Sequence, residues 1–189
     1  MKRIAIFASG SGTNAEQIIR YFEEHDDIEV SLVMSNNPDA YVLKRAAALK
    51  VPSYVFDRHL FYETDQVYHI LRDIGIHFIV LAGFLWLVPG NILKNYKGCI
   101  INIHPALLPK FGGKGMFGDK VHQAVIAAGE KETGISIHYV NEDYDEGEVI
   151  FRKKIPILPG DTPESIAERI HKLEHEHFPK VIEKLVREL

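Results

Sequence analysis

At 189 residues, 46% hydrophobic and 25% charged, the chain is long enough to bury roughly 70% of the surface its unfolded form would expose, so one domain spanning residues 1–189 is expected without disulfide or metal staples. Twenty-two Lys plus Arg against 26 Asp plus Glu leave a net charge of −4 with no basic block, which argues against a nucleic-acid partner. A single cysteine, Cys99, excludes an internal disulfide; no apolar run reaches a signal-peptide core or the ~18 residues of a membrane span, so a cytoplasmic protein without membrane contact is expected.

Residues 4–8 read as a short buried strand that closes on Ser9-Gly10-Ser11-Gly12-Thr13-Asn14, after which Ala15, Ile18, Ile19 and Phe22 recur at helical spacing. Residues 30–34 form a second strand, 41–49 a helix, 53–56 a third strand and 61–74 a helix. Residues 78–81 form a fourth strand, 92–96 a short helix and 99–103 the fifth strand. Strands alternating with helices predict an α/β fold whose mostly parallel sheet is covered by helices on both faces. Four glycines fall within residues 111–118, which predicts a mobile loop. A helix over 120–128 follows, then strands over 135–140 and 149–155 joined by an acidic turn, an antiparallel pair that makes the sheet mixed. Thr162 and Pro163 start a last helix, with Ile166, Ile170, Leu173, His177, Val181 and Leu185 as its apolar stripe.

Gly10-Ser11-Gly12-Thr13-Asn14-Ala15 matches the G-x-G-x-x-A form of the dinucleotide fingerprint and lies between strand and helix, as that motif requires. An acidic residue about 20 positions on, which would hold a ribose hydroxyl, is missing. The second strand ends instead in Ser35-Asn36-Asn37. A phosphate monoester on the backbone amides around Gly12, Thr13 and Asn14 fits better; a dinucleotide site and a tight turn without ligand are the alternatives.

Asn102-Ile103-His104-Pro105 follows the apolar run at 99–101 and sets a carboxamide and an imidazole two residues apart, so an extended chain aims both the same way. A fixed donor beside a titratable ring can hold a developing oxyanion and move a proton, as acyl transfer to an amine requires. Downstream, four carboxylates fall within Glu142-Asp143-Tyr144-Asp145-Glu146. Such a run is commonly a solvated turn. Asp145, two residues before Gly147, could instead turn back toward His104 and raise its pKa. His171-Lys172-Leu173-Glu174-His175 has the form of an inverted zinc-protease motif, but one helix offers no third ligand from another face, so no metal is expected. His138 and His122 are read as structural rings, and Cys99 as a packed thiol.

The 9–14 loop, Leu81-Ala82-Gly83-Phe84, Ile101-Asn102-Ile103-His104-Pro105-Ala106-Leu107-Leu108-Pro109 and residues 134–150 together closely resemble the phosphoribosylglycinamide formyltransferase family, over essentially the whole chain. The resemblance implies a Rossmann-like fold with the folate near the ends of the fourth to sixth strands. It implies formyl transfer from 10-formyltetrahydrofolate to 5'-phosphoribosylglycinamide in purine synthesis. Asn102, His104 and Asp145 match the catalytic positions: the first two, with His104 protonated, stabilise the formyl oxygen, and the third keeps the ring charged and helps pass a proton. Gly12, Thr13 and Asn14 match the phosphate contacts, and Glu174 a residue that helps hold the ribonucleotide. Leu85, Trp86, Leu87 and Val88 match the pterin-pocket segment, with Asn141, Glu142, Asp143, Tyr144 and Asp145 on its far side. Trp86 stands where the family commonly carries Arg, and near Leu60 there is no clear equivalent of a second family Arg, Arg58 lying close by. A nucleotide-sugar formyltransferase and a non-catalytic nucleotide-binding module are the alternatives.

Overall fold

Apolar runs such as Ile4-Ala5-Ile6-Phe7 leave a strand no side that could face water, so the sheet must be covered on both faces. The computed structural model describes residues 1–189. In chain order it runs strand Lys2–Phe7 (β1), helix Thr13–Phe22 (α1), strand Ile28–Ser35 (β2), helix Tyr41–Ala48 (α2), strand Ser53–Val55 (β3), and helices Arg58–Tyr62 (α3) and Gln66–Ile74 (α4). Strand Phe78–Leu81 (β4), helix Gly90–Asn95 (α5), strand Ile100–His104 (β5) and helix Asp119–Ala127 (α6) follow. Strands Glu132–Tyr139 (β6) and Val149–Pro156 (β7) precede the last helix, Pro163–Arg187 (α7). The seven strands form one sheet in the order β3-β2-β1-β4-β5-β6-β7. The first five are parallel to one another, β6 runs antiparallel to β5, and β7 runs antiparallel to β6. No helix is long and apolar enough to cross a membrane.

Alternate residues along each central strand feed opposite cores. Ile4, Ile6, Phe78 and Val80 pack with α1, α2 and α7 on one face. Ala5, Phe7, Ile79 and Leu81 pack with α3, α4 and α5 on the other. Cys99 is half-buried against both cores, and burial pushes its thiol up, which keeps it unreactive.

Two expectations need correction. The helix expected over 61–74 is two, because Asp57 caps the Leu60 amide at the start of α3 and Thr64 breaks the run, its hydroxyl donating to the Leu60 carbonyl and accepting from the Gln66 amide. The buried track of α7 also departs from the expected stripe after Ile170: Ile166, Ile170, Glu174, Phe178, Ile182 and Val186 face inward at a spacing of four, while Leu173, His177, Val181 and Leu185 are only half-buried. The inward track carries a carboxylate, so an apolar pattern alone skips it. Thr162 caps the helix as expected, in a reciprocal box with Ser165.

Phe178 is fully buried one turn beyond Glu174. Its replacement by Ala is expected to cost about 3–5 kcal/mol, read as a lower urea midpoint at unchanged slope. Leu173→Ala, on the half-buried flank, is expected to cost clearly less.

Candidate active site

Strand order reverses at β1, whose neighbours are β2 on one side and β4 on the other. The loops leaving the carboxyl ends of β1 and β4 part there and open a crevice. A cleft of about 390 Å³ occupies it, lined by the 9–14 loop, residues 81–88 and 102–105, the 113–119 stretch, and side chains from α6, β6 and α7.

At one end lies the glycine loop. Gly12 sits at φ +73°, and a Cβ there would collide with Val42 on α2. The Val42 amide donates to the Gly10 carbonyl, and Arg45 Nε donates to the Ser11 carbonyl at 2.8 Å, so α2 pins the loop. Helix α1 begins at Thr13 without a side-chain cap, and the first amides of a helix have no partner within it. Gly12, Thr13 and Asn14 all line the cleft, where such amides favour an anion. Glu174 reaches them from α7. It is 5% exposed and accepts from Asn14 Nδ2 at 2.9 Å. Burial outweighs that bond and raises its carboxyl. The Asn14 Oδ1 is buried without a partner.

β5 presents Asn102 and His104 to the same cleft and on the same side, as their spacing predicts. The β6–β7 turn folds back over the end of β6, where Gly147 lies so close to the Tyr139 carbonyl that no Cβ would fit. This return delivers Asp145, at φ +57°, to the β5 pair. Its Oδ2 lies 3.5 Å from His104 Nδ1 and accepts from the Gly113 amide at 2.9 Å, while its Oδ1 accepts from Asn102 Nδ2 at 3.3 Å. Asp145 is therefore part of the cluster rather than of a solvated turn. Burial alone would raise its carboxyl, but the His138 and His104 rings and the Gly113 amide together hold it below its ordinary range.

Two sets of contacts bear on the expected roles of His104 and Asn102. Burial lowers the His104 pKa, and the Asp145 carboxylate works against that, pushing it upward. Its Nε2 lies 2.7 Å from the Phe111 carbonyl, which only accepts, so that nitrogen carries the proton. Asn102, expected as an oxyanion donor, meets His138 Nε2 at 3.1 Å as well as Asp145, so its amide nitrogen is already engaged.

Leu85, Trp86, Leu87 and Val88 line the cleft, together with Asp143 and Tyr144. Asn141 and Glu142 do not: Asn141 Oδ1 accepts from the Asp143 amide at 3.0 Å, turning that side chain inward on its own loop, and Glu142 is exposed. The Arg58 guanidinium lies 5.0 Å from the centre of the Trp86 ring and 5.8 Å from that of Tyr62, so a cation does stand over the position that carries Trp. His171 and His175 stack on each other at 6.4 Å while Glu174 turns to Asn14, so the H-x-x-E-H residues do not converge on one point. The sequence reading missed His138 and His122 as cleft residues, both about 98% buried. His138 pairs across the sheet with Asn102, a relation that only the β5–β6 register reveals.

Because the Glu174 carboxyl is raised above its ordinary 4.5 in the folded protein, the fold disfavours its charged form. Stability tied to this group is complete below that ordinary value and is lost as pH rises through the raised one. Glu174→Gln, which can still accept from Asn14, is expected to be more stable than the parent at pH 8. The gain should shrink toward zero at pH 4, measured by urea unfolding at both values.

The description "Formyl transferase" belongs to the family model that matches residues 2–182. A phosphoribosylglycinamide formyltransferase of Bacillus subtilis is 43% identical, over 98% of this chain and 95% of that protein. A solved glycinamide ribonucleotide transformylase 1 of Geobacillus kaustophilus superposes with a TM-score of 0.88 at 39% identity, covering 98% of this chain and 99% of the other. A second, from Symbiobacterium toebii, gives 0.89 at 33% identity over 99% of this chain and 88% of the other. Sequence and backbone agree along the full sheet, and the chain belongs to the formyl transferase family.

Proposed function

We propose that this protein transfers the formyl group of 10-formyltetrahydrofolate directly to the amine of 5'-phosphoribosylglycinamide, a step of purine biosynthesis. One observation carries the reading: a single cleft joins an anion-favouring helix start at Gly12, Thr13 and Asn14 to the His104–Asp145 pair. The similarity to a phosphoribosylglycinamide formyltransferase of Bacillus subtilis and a glycinamide ribonucleotide transformylase of Geobacillus kaustophilus supports the same substrate.

The loop amides hold the phosphate, and Glu174 accepts hydrogens from the same substrate. Leu85, Trp86, Leu87, Val88, Asp143 and Tyr144 seat the folate ring, whose formyl group then reaches His104. The amine lone pair attacks the formyl carbon, a C–N bond forms and the carbonyl electrons move to oxygen. His104 Nε2–H stabilises that oxygen once the Phe111 carbonyl gives up its place. Phe111 sits at φ +58°, a costly conformation for a residue with a side chain, so its release relieves strain that offsets part of the lost bond. The proton leaving the amine passes to the Asp145–His104 pair and on to the folate nitrogen as the old C–N bond breaks. No covalent enzyme intermediate is required, because a neutral amine is already a competent nucleophile.

Mixing the protein with both substrates should release tetrahydrofolate and formylated ribonucleotide. Transfer only to an amino sugar nucleotide, or none, would overturn the reading. His104→Ala is expected to lower turnover by roughly 10²- to 10³-fold with folate binding retained in a fluorescence titration. Asp145→Asn should lower turnover far more than ribonucleotide affinity by calorimetry; equal losses would remove Asp145 from the chemistry.

A further inference from the structure

No residue of α2 lines the cleft, yet α2 holds the glycine loop by two carbonyl groups. The Val42 amide donates to the Gly10 carbonyl at 3.1 Å, and Arg45 Nε to the Ser11 carbonyl at 2.8 Å. Across a trans peptide the carbonyl and the next amide point in opposite directions, and both of these peptides are trans. Turning the two carbonyls toward α2 therefore aims the Ser11 and Gly12 amides away from it, on the side where residues 9–14 line the cleft. The amides of Ser11, Gly12, Thr13 and Asn14 donate to no protein atom. A row of free amides around a left-handed glycine is suited to an anion.

Arg45 makes a second contact from the same place. Its Nη1 donates to Glu16, the one carboxylate in the first turn of α1, which also accepts from Arg20 Nε and Nη2 at 3.1 and 3.0 Å. The bonds from Arg20 first, and then from Arg45, hold the Glu16 carboxyl below its ordinary range, so a negative charge stands beside the helix start. Arg20 alone would only cancel that charge. Two guanidiniums facing one carboxylate leave a net positive charge behind the loop. The Arg45 guanidinium also lies 4.9 Å from the centre of the Tyr41 ring, a third contact that fixes its place.

We infer that Arg45 is a positioning residue for the phosphate of the ribonucleotide: from behind the loop it turns the Gly12 amide into the cleft and leaves the helix start with a net positive charge. This rests on the formyl-transfer reading above. Arg45 lies outside the cleft, so its effect belongs to binding and not to the chemical step. Without it the Ser11 carbonyl is free to rotate between two glycines. The loop would then have to be ordered when the anion arrives.

Arg45→Ala is expected to raise KM for the ribonucleotide by about 10-fold, with kcat and KM for the formyl folate little changed. It should also bind inorganic phosphate about 10-fold more weakly. That binding is followed on full-length, ¹⁵N-labelled protein through the Gly12, Thr13 and Asn14 amide resonances, which in the parent should move downfield as phosphate is added. Arg45→Lys, which keeps the charge without the planar fork, should fall between parent and Ala. Adding Glu16→Gln to Arg45→Ala leaves Arg20 as an uncancelled charge and should recover part of the affinity, a rescue that a merely structural Arg45 would not show. Four results overturn the inference: parent amides that phosphate leaves unmoved, an unchanged ribonucleotide KM in Arg45→Ala, a loss confined to kcat, or a double variant no better than the single. Should Arg45→Ala fail to fold, Arg45→Lys is read in its place, a smaller rise in KM being expected and none overturning the role. Phosphate binding that depends on Arg45 in a protein that transfers no formyl group would sink the reaction reading alone and leave the anion site and its support standing.

Discussion

A carboxylate that is only about 10% exposed must be surrounded by donors or lose its charge, and Asp145 is such a group. Its neighbours come from three separate parts of the chain: Asn102 and His104 on β5, Gly113 in the glycine-rich stretch, and His138 on β6. The charge therefore ties the sheet, the loop over it and the β6–β7 turn to one point. That point is reached at the cost of a left-handed backbone at Asp145 and a turn that passes Tyr139 with room only for glycine. Strain of this kind persists where surrounding bonds over-determine the geometry, and the set of donors around the carboxylate does so.

The sheet order explains why this cluster and the glycine loop share one cleft. Parallel strands deliver their carboxyl ends to one edge, so the loops after β1, β4 and β5 arrive together. Antiparallel β6 reverses the direction and would carry the acidic turn away from that edge. The fold-back at Gly147 corrects this. Helix α7 closes the far wall with Glu174, held in register by the apolar residues one turn to either side of it.

Whatever depended on local spacing could be read from the sequence. Asn102 and His104 two residues apart on a strand had to point together, and the glycine loop had to join an apolar strand to an amphipathic helix. Relations across the sheet were not legible. His138 follows the same alternation as its neighbours, and only the pairing with Asn102 separates it from a structural ring. The inward track of α7 was hidden because a carboxylate sits in the middle of it, where apolar periodicity selects Leu173. Around His104 an acidic neighbour can be seen in a sequence, whereas the burial that acts against it cannot.

The two buried carboxylates that line the cleft respond in opposite directions to the same loss of water. Asp145 is held low because several donors converge on it, whereas Glu174 is raised because Asn14 alone serves it. The difference lies in how many hydrogens the protein itself supplies, not in depth. At Asp145 the protein surrounds the carboxylate with partners and holds its pKa low. At Glu174, with the Asn14 oxygen buried and unpaired beside it, acceptor capacity is left over. A core that served stability alone would have filled that capacity or replaced the carboxylate with an apolar residue. Unfilled acceptors next to an anion-favouring helix start call for a ligand that brings both a negative group and hydrogens to donate, and a phosphorylated sugar carries both on adjoining atoms.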